Sequence, residues 1–321
     1  MKTITKTIVA LFIFTMLFTS CSKDDGGSKQ RDSEKEIITA KASDFGEYHP
    51  CGIAISPTGK QAVAVSTYEG DTQNGKIFIW ESTDAFYADE PAKYAYSVKD
   101  PEAITFDGNT LYIACTYDSK IFYTTDITKA PDSFFYIDFN DNHNPRGLSV
   151  KDGNLYVMCE NLYPNPKKSI VLKVTNPTAN NRTFSEVGAS EQPSNNGNAL
   201  SVFIKNNEMY TTDLNSNTVS RYQLGINGGS VQLSKRLNNA GTAMDVTADG
   251  VNYVYFTTLA DACYLVRWNT ASGETKNVKL GPANGLYAAW GVYFLNGKIL
   301  IADAPRNQIK VVDVTTAAWQ D

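Results

Sequence analysis

From residue 37 onward, apolar and polar positions alternate with a period of two, in short runs separated by Gly, Asn, Asp and Ser. That alternation predicts β-strands rather than amphipathic helices. The stretch from 195 to 224, NNGNALSVFIKNNEMYTTDLNSNTVSRYQL, shows the unit most plainly: strand, Asn-rich turn, strand, polar loop, strand. Aligning on a small residue that opens an apolar run yields six such units. They start at Gly52, Ala103, Gly147, Ser201, Ala243 and Gly291 and are followed by turns at Pro57-Thr-Gly59, Asp107-Gly108, Asp152-Gly153, Asn206-Asn207, Asp249-Gly250 and Asn296-Gly297. The anchors are 51, 44, 54, 42 and 48 residues apart, the period of a four-stranded propeller blade. Asp-Gly and Asn-Gly between apolar alternations predict type I′ hairpins joining first to second strands.

Second strands are predicted at 62–65, 111–114, 155–158, 209–212, 254–257 and 299–302, and third strands at 76–80, 120–123, 169–174, 218–224, 263–268 and 308–312. Fourth strands are the least regular. The sixth unit ends soon after its third strand, while Ile37–Ala40 precedes the first unit without a blade of its own. Pairing the two closes the ring and removes free sheet edges. The expected fold is therefore all-β: a six-bladed β-propeller of four-stranded antiparallel blades over residues 37–321, its last blade closed by the N-terminal strand. The Asn/Pro/Ser-rich loop from Asn176 to Asn198 does not interrupt the period, so one propeller domain is expected.

The first twenty residues have Lys2 and Lys6, an apolar run from Ile8 to Phe18, and then Thr19-Ser20-Cys21. This is the order of a secretory signal, too short to span a membrane as a helix. LFTSC resembles the bacterial lipobox, which implies a lipid on Cys21 as the mature N-terminus. Cys21-Ser-Lys-Asp-Asp resembles the export signal of Bacteroidota surface lipoproteins. Residues 1–20 are thus expected to be a lipoprotein signal peptide and 21–36, rich in Ser, Gly, Lys, Asp and Glu, a flexible tether. The expected address is the outer membrane, lipid-anchored, facing the exterior.

Composition sharpens this picture only in places. Eighteen Tyr and fifteen Phe suit strands. A net charge of -5 argues against a nucleic-acid partner, which needs a basic face. Beyond Cys21 the cysteines are Cys51, Cys115, Cys159 and Cys263. No zinc spacing appears among them, and Cys115 and Cys159 hold matching places in apolar strands, as buried thiols would. A monomeric propeller is expected.

Residues 210–222, YTTDLNSNTVSRY, resemble the NHL repeat, as do 300–309 and, loosely, 117–121. The resemblance covers about residues 45–321 and implies the six-bladed fold, which serves enzymes and binding modules alike. Within that group, regucalcin and gluconolactonase relatives hold a metal at the central mouth. Resemblance to them points to Asn198 as a ligand, and Asp213 and Asp303, which fall in matching columns of the repeat, are the acids best placed to hold calcium or magnesium. The ligand set is incomplete, since blade one reads His49-Pro50-Cys51 where a Glu would stand and blade five offers Thr242.

Loops leading into first strands face the central funnel and carry His49, Asp100, Glu102, His143, Asn144, Arg146, Asn195, Asn196, Asn198, Asn239, Thr242, Tyr287 and Trp290. From these, His49, Glu102, His143, Arg146, Asn198, Tyr287 and Trp290 are the candidate ligand-binding set. Tyr287 and Trp290 are placed to stack a ring, Arg146 to clamp a carboxylate, and His or Glu to move a proton. The second-to-third loops add one acid per blade: Glu69, Asp118, Glu160, Asp213, Asp261 and Asp303. Hydrolase, phosphate-loop and dinucleotide motifs are missing, and no residue is assigned a catalytic role. The reading that follows is a surface lipoprotein whose propeller binds a protein or glycan partner. A metal-assisted hydrolase or lyase, and a structural subunit of an outer-membrane assembly, are the alternatives.

Overall fold

The computed structural model describes residues 37–321 apart from 41–44, 58–62, 70–73, 130–134, 140–142, 162–167, 190–198, 215, 226–227, 229, 239, 260–261 and 283–288. The signal peptide, Cys21 and the tether therefore lie outside the described residues, as do Asn195, Asn196, Asn198, Asn239, Asp261, Tyr287 and the first turn beyond Pro57.

Six antiparallel sheets follow one another along the chain. Blade one contains His49–Ile55, Val63–Glu69, Asn74–Trp80 and Tyr94–Lys99; blade two Pro101–Asp107, Thr110–Cys115, Lys120–Thr124 and Phe135–Asp138. Blade three contains His143–Lys151, Asn154–Asn161, Lys168–Thr175 and Thr183–Glu186; blade four Ala199–Lys205, Glu208–Asp213, Thr218–Leu224 and Ser230–Leu237. Blade five contains Thr242–Ala248, Tyr253–Leu259, Ala262–Asn269 and Thr275–Pro282. Blade six contains Ala289–Leu295, Lys298–Asp303, Gln308–Asp313 and, as its outer strand, Ile37–Ala40. The closing strand runs antiparallel to the third strand of that blade, Ile37 opposite Val312 and Ala40 opposite Ile309.

Both faces of each blade are buried, which explains the near-continuous apolar runs. In blade one Phe78 and Trp80 turn toward Leu300, Ala302, Ile309 and Val311 of blade six, while Ile77 and Ile79 turn toward Ile104, Phe106 and Ile113 of blade two. The period-two alternation thus sorts residues between two neighbouring cores. Six such cores, one per junction, carry the ring around to its start. All four described cysteines are buried free thiols within this packing.

The structure corrects some local expectations. Among the described turns only Asp152-Gly153 and Asn296-Gly297 have positive φ at both positions, as a type I′ turn needs. At the second hairpin Asp107 pairs with Thr110, so the corner is Gly108-Asn109 with positive φ at Gly108 alone. Asp249 instead closes a longer loop, accepting backbone N–H bonds from Val251, Asn252 and Tyr253. A five-residue helix, Thr83–Tyr87, capped by the Ser82 hydroxyl, interrupts blade one's outer connection and seats Phe86 edge-on to Trp80. Blade four gains a short parallel edge strand, Gly188–Ala189.

The blade-five anchor also shifts. Register places Asp245, not Ala243, in the column of Gly52, Ala103, Gly147, Ser201 and Gly291. First strands approach closely there: a Cβ on Gly291 would lie 2.4 Å from the Cys51 carbonyl oxygen, and one on Gly147 2.8 Å from the Ser201 Cα. Small residues fill the column because the neighbouring backbone leaves no room.

Candidate functional site

Every first strand carries a bulge near its start. Register slips after Pro50, Pro101, Pro145, Ala199, Ala243 and Ala289. At each slip two residues oppose one, and the first of the two is Cys51, Glu102, Arg146, Leu200, Met244 or Trp290. A bulge frees its residue from the ladder and re-aims the side chain. Proline is tolerated beside three of these slips because the ladder is already broken there.

Neighbouring blades hold the bulges in place through buried donors. Thr116 Oγ1 donates to the Pro145 carbonyl at 2.7 Å, Thr212 Oγ1 to that of Met244 at 3.1 Å, and Cys51 Sγ to that of Pro101 at 2.9 Å. Burial, with the nearby carboxylates, keeps the Cys51 thiol protonated well above its ordinary range despite a bond from Ser66.

The six bulge residues line one central cavity of about 750 Å³, within the size range of small-molecule sites. They form a collar divided by chemistry: Glu102 and Arg146 on blades two and three, then Leu200, Met244 and Trp290 on blades four to six. Arg146 faces Trp290 across the ring, three blades away. At the far end of the channel stand Asp107, Lys151, Asp152 and Lys205.

Arg146 is the hub of the charged half. Its Nη1 donates to both oxygens of Glu102, at 3.0 and 2.9 Å, and Nε and Nη2 donate to Glu160 Oε2 at 3.2 and 3.0 Å. Burial alone would lower its pKa, but the two glutamates more than offset that and hold the guanidinium charged. Beside this hub Asp100 accepts the Tyr117 N–H at 3.1 Å. Burial, reinforced by the Glu102 charge, pushes the Asp100 carboxyl up to about 6. On blade five Asp245 accepts the Ser201 hydroxyl, Val246 N–H at 2.8 Å and Val292 N–H at 2.7 Å. Burial again dominates and raises its carboxyl to about 6.

Of the expected set, the structure brings Glu102, Arg146 and Trp290 to one cavity and leaves the histidines outside its lining. His49 Nδ1 donates to the Ala304 carbonyl at 3.1 Å, at the junction with blade six. His143 lies toward Phe139 and Glu186, and its burial lowers its pKa. Arg146 is already engaged by two carboxylates, so it does not stand open to clamp a third. Tyr287 and Asn198 lie outside the described residues.

The acids of the second-to-third loops serve separate tasks. Asp118 pairs with Lys99 at 2.6 Å, Glu160 backs Arg146, and Asp213 accepts the Ser216 N–H at 3.1 Å. Asp303 binds Arg306 at 2.7 Å, Gln308 at 2.9 Å and Lys310 at 3.1 Å. Asp213 and Asp303 stand in different blades and neither lines the cavity. No group of three or more His, Cys, Asp or Glu gathers in metal-holding geometry among the described residues. At the collar the Arg146 guanidinium occupies the place between carboxylates that a metal ion would need, so calcium or magnesium does not fit this donor set.

No family model matches the chain, and no curated protein matches it in sequence. Among solved structures it is similar to a luciferin-regenerating enzyme, with TM-score 0.61 and 13% identity over 88% of this chain and 97% of that one. It is also similar to regucalcin from Agrobacterium tumefaciens, a calcium-binding protein, with TM-score 0.58 and 8% identity over 86% and 93%. A third is virginiamycin B lyase from Staphylococcus aureus, with TM-score 0.54 and 12% identity over 87% and 98%. At these identities the likeness shows a common six-bladed fold and nothing of the chemistry.

Proposed function

We propose that this protein is a surface-displayed binding module whose collar captures a small amphipathic group of a glycan or protein partner. The observation that carries the reading is the ring of six bulges, which turns one side chain per blade into a single cavity. An apolar and aromatic half faces a charged half there. A sugar ring suits this division best: Trp290 offers a stacking face, and the fixed Glu102–Arg146 pair offers hydrogen bonds to hydroxyls. Lipid anchoring at Cys21 and an outward-facing position on the outer membrane belong to the same proposal and rest on the N-terminal sequence.

The similar solved structures include a lyase and a calcium-binding protein, which keeps a metal-assisted hydrolase or lyase as the competing reading. It is less favoured because Arg146 already engages both Glu102 and Glu160, and because both histidines stand off the cavity. The test is a glycan array probed with wild type and Trp290→Ala. Binding that drops about tenfold or more in the variant supports the collar. Equal binding by both proteins, or none by either, removes Trp290 as a platform.

A further inference from the structure

The collar end of the cavity holds two carboxylates that form no ion pair among the described residues. Asp100, leading into blade two, is only 6% exposed, yet it lines the cavity, and among the described residues its carboxylate accepts one hydrogen bond, from Tyr117. Its backbone is held at φ +44°, a conformation disfavoured for residues with a Cβ. Asp245 lines the same cavity from blade five, three blades around and so on the opposite wall. It accepts three hydrogen bonds, all from uncharged groups.

Among the described residues neither acid has a Lys, Arg or His within ion-pair distance, and the nearest guanidinium, Arg146, is held by Glu102 and Glu160. At the far mouth both signs are present instead, with Lys151 paired to Asp152 at 2.8 Å and Asp107 and Lys205 on the same lining. Negative charge is therefore concentrated at the collar. A buried carboxylate without an ion-pair partner is unfavourable, and a cation entering beside it relieves that cost. Burial is the first cause of the raised pKa in each acid, and at Asp100 the Glu102 charge adds to it against the weaker pull of Arg146.

We propose that the group bound at the collar is an organic cation, its ammonium drawn to Asp100 and its ring or apolar body against Leu200, Met244 and Trp290, with the Asp245 charge adding to the field from across the cavity. The inference rests on the binding reading above and names the ligand class for that site. A bare divalent cation suits the place less well, since it asks for several oxygen ligands at once, and no group of three or more His, Cys, Asp or Glu gathers to hold one among the described residues. Beside Asp245 the wall is hydrocarbon, sulfur and indole. The Trp290 face favours a cationic nitrogen in addition.

The experiment is calorimetric titration of the folded propeller with two charge series on fixed bodies. One is glucosamine, glucose and glucuronate; the other is phenethylamine, phenylethanol and 3-phenylpropionate. The cation of at least one series should bind about tenfold or more tighter than its neutral and anionic counterparts. Asp100→Asn and Asp245→Asn should each narrow that margin; Asn tolerates the left-handed backbone at position 100. The proposal is overturned by equal or tighter binding of the neutral or anionic member, by no binding of either amine at millimolar concentration, or by a margin that survives both variants. Displacement of glucosamine by calcium chloride would also overturn it. If a variant does not fold, as judged by circular dichroism, the ranking on wild type decides. Glucose binding as tight as that of glucosamine, and lost in Trp290→Ala, would sink the cation but keep the collar. Amine binding untouched by Trp290→Ala would overturn the seat against the indole.

Discussion

Asp245 occupies a column where the other blades place Gly, Ala or Ser, and its carboxylate is tied to the strands on either side. Its carboxyl, raised to about 6, gives the protein a defined pH response. An unfolded Asp titrates near 3.9. Between about pH 4 and pH 6 the folded protein therefore keeps a proton that the unfolded chain has released, and stability falls as pH rises through this window. Asp245→Asn removes that slope. In urea denaturation, the stability of wild type minus that of the variant should fall by on the order of 2 kcal/mol from about pH 4 to about pH 6.5, then level off. A difference that is flat across the window would show that the carboxyl ionises normally. The site was only partly legible in the sequence. Glu102, Arg146 and Trp290 are found by their place just before a small residue. Leu200 and Met244 are not, because an apolar residue in an apolar run gives no sign that it sits on a bulge. The available signal is the Pro or Ala that precedes each of the six bulge residues. The histidines stand off the cavity lining because each opens its strand and already pairs with the next one, His49 with Tyr68 and His143 with Asn161.

At the scale of elements, the second and third strands of all six blades follow from period-two alternation, since both their faces are buried and register is strongly set. The blade-five anchor was read two residues early, at Ala243. The rule sought a small residue, and the true column holds an acid. Turn types were harder to read, because a one-residue change in where the ladder ends turns an Asp-Gly corner into a Gly-Asn one. Closure was legible from what was missing: an outer strand for the last blade and a blade for the first strand. Ile37–Ala40 covers the edge formed by Ile309–Val312. Deleting residues 36–42 should lower the thermal midpoint by about 5 °C or more and produce dimers or larger species through the exposed edge. Differential scanning fluorimetry and size-exclusion chromatography read the two effects. An unchanged midpoint in a monomeric protein would mean that the closing strand contributes nothing to stability.

For the whole molecule, address and recognition belong to separate segments. The N-terminal residues carry the membrane proposal, and the propeller carries the cavity. Cys21→Ser should therefore move the protein from the detergent-soluble membrane fraction to the soluble fraction while leaving the propeller's unfolding midpoint unchanged. Fractionation followed by immunoblotting reads this, and a variant that stays in the membrane would place the anchor elsewhere. The ring's closure has one more consequence, which concerns time. Ile37 and Val312 are about 275 residues apart in the chain and opposite one another in the sheet. The earliest strand to be synthesised cannot find its partner until almost the last residues have emerged, and long-range pairings of this kind form slowly. A nascent chain can build its middle blades but cannot complete the circle, so the ring stays open until the strand that holds Val312 has been made.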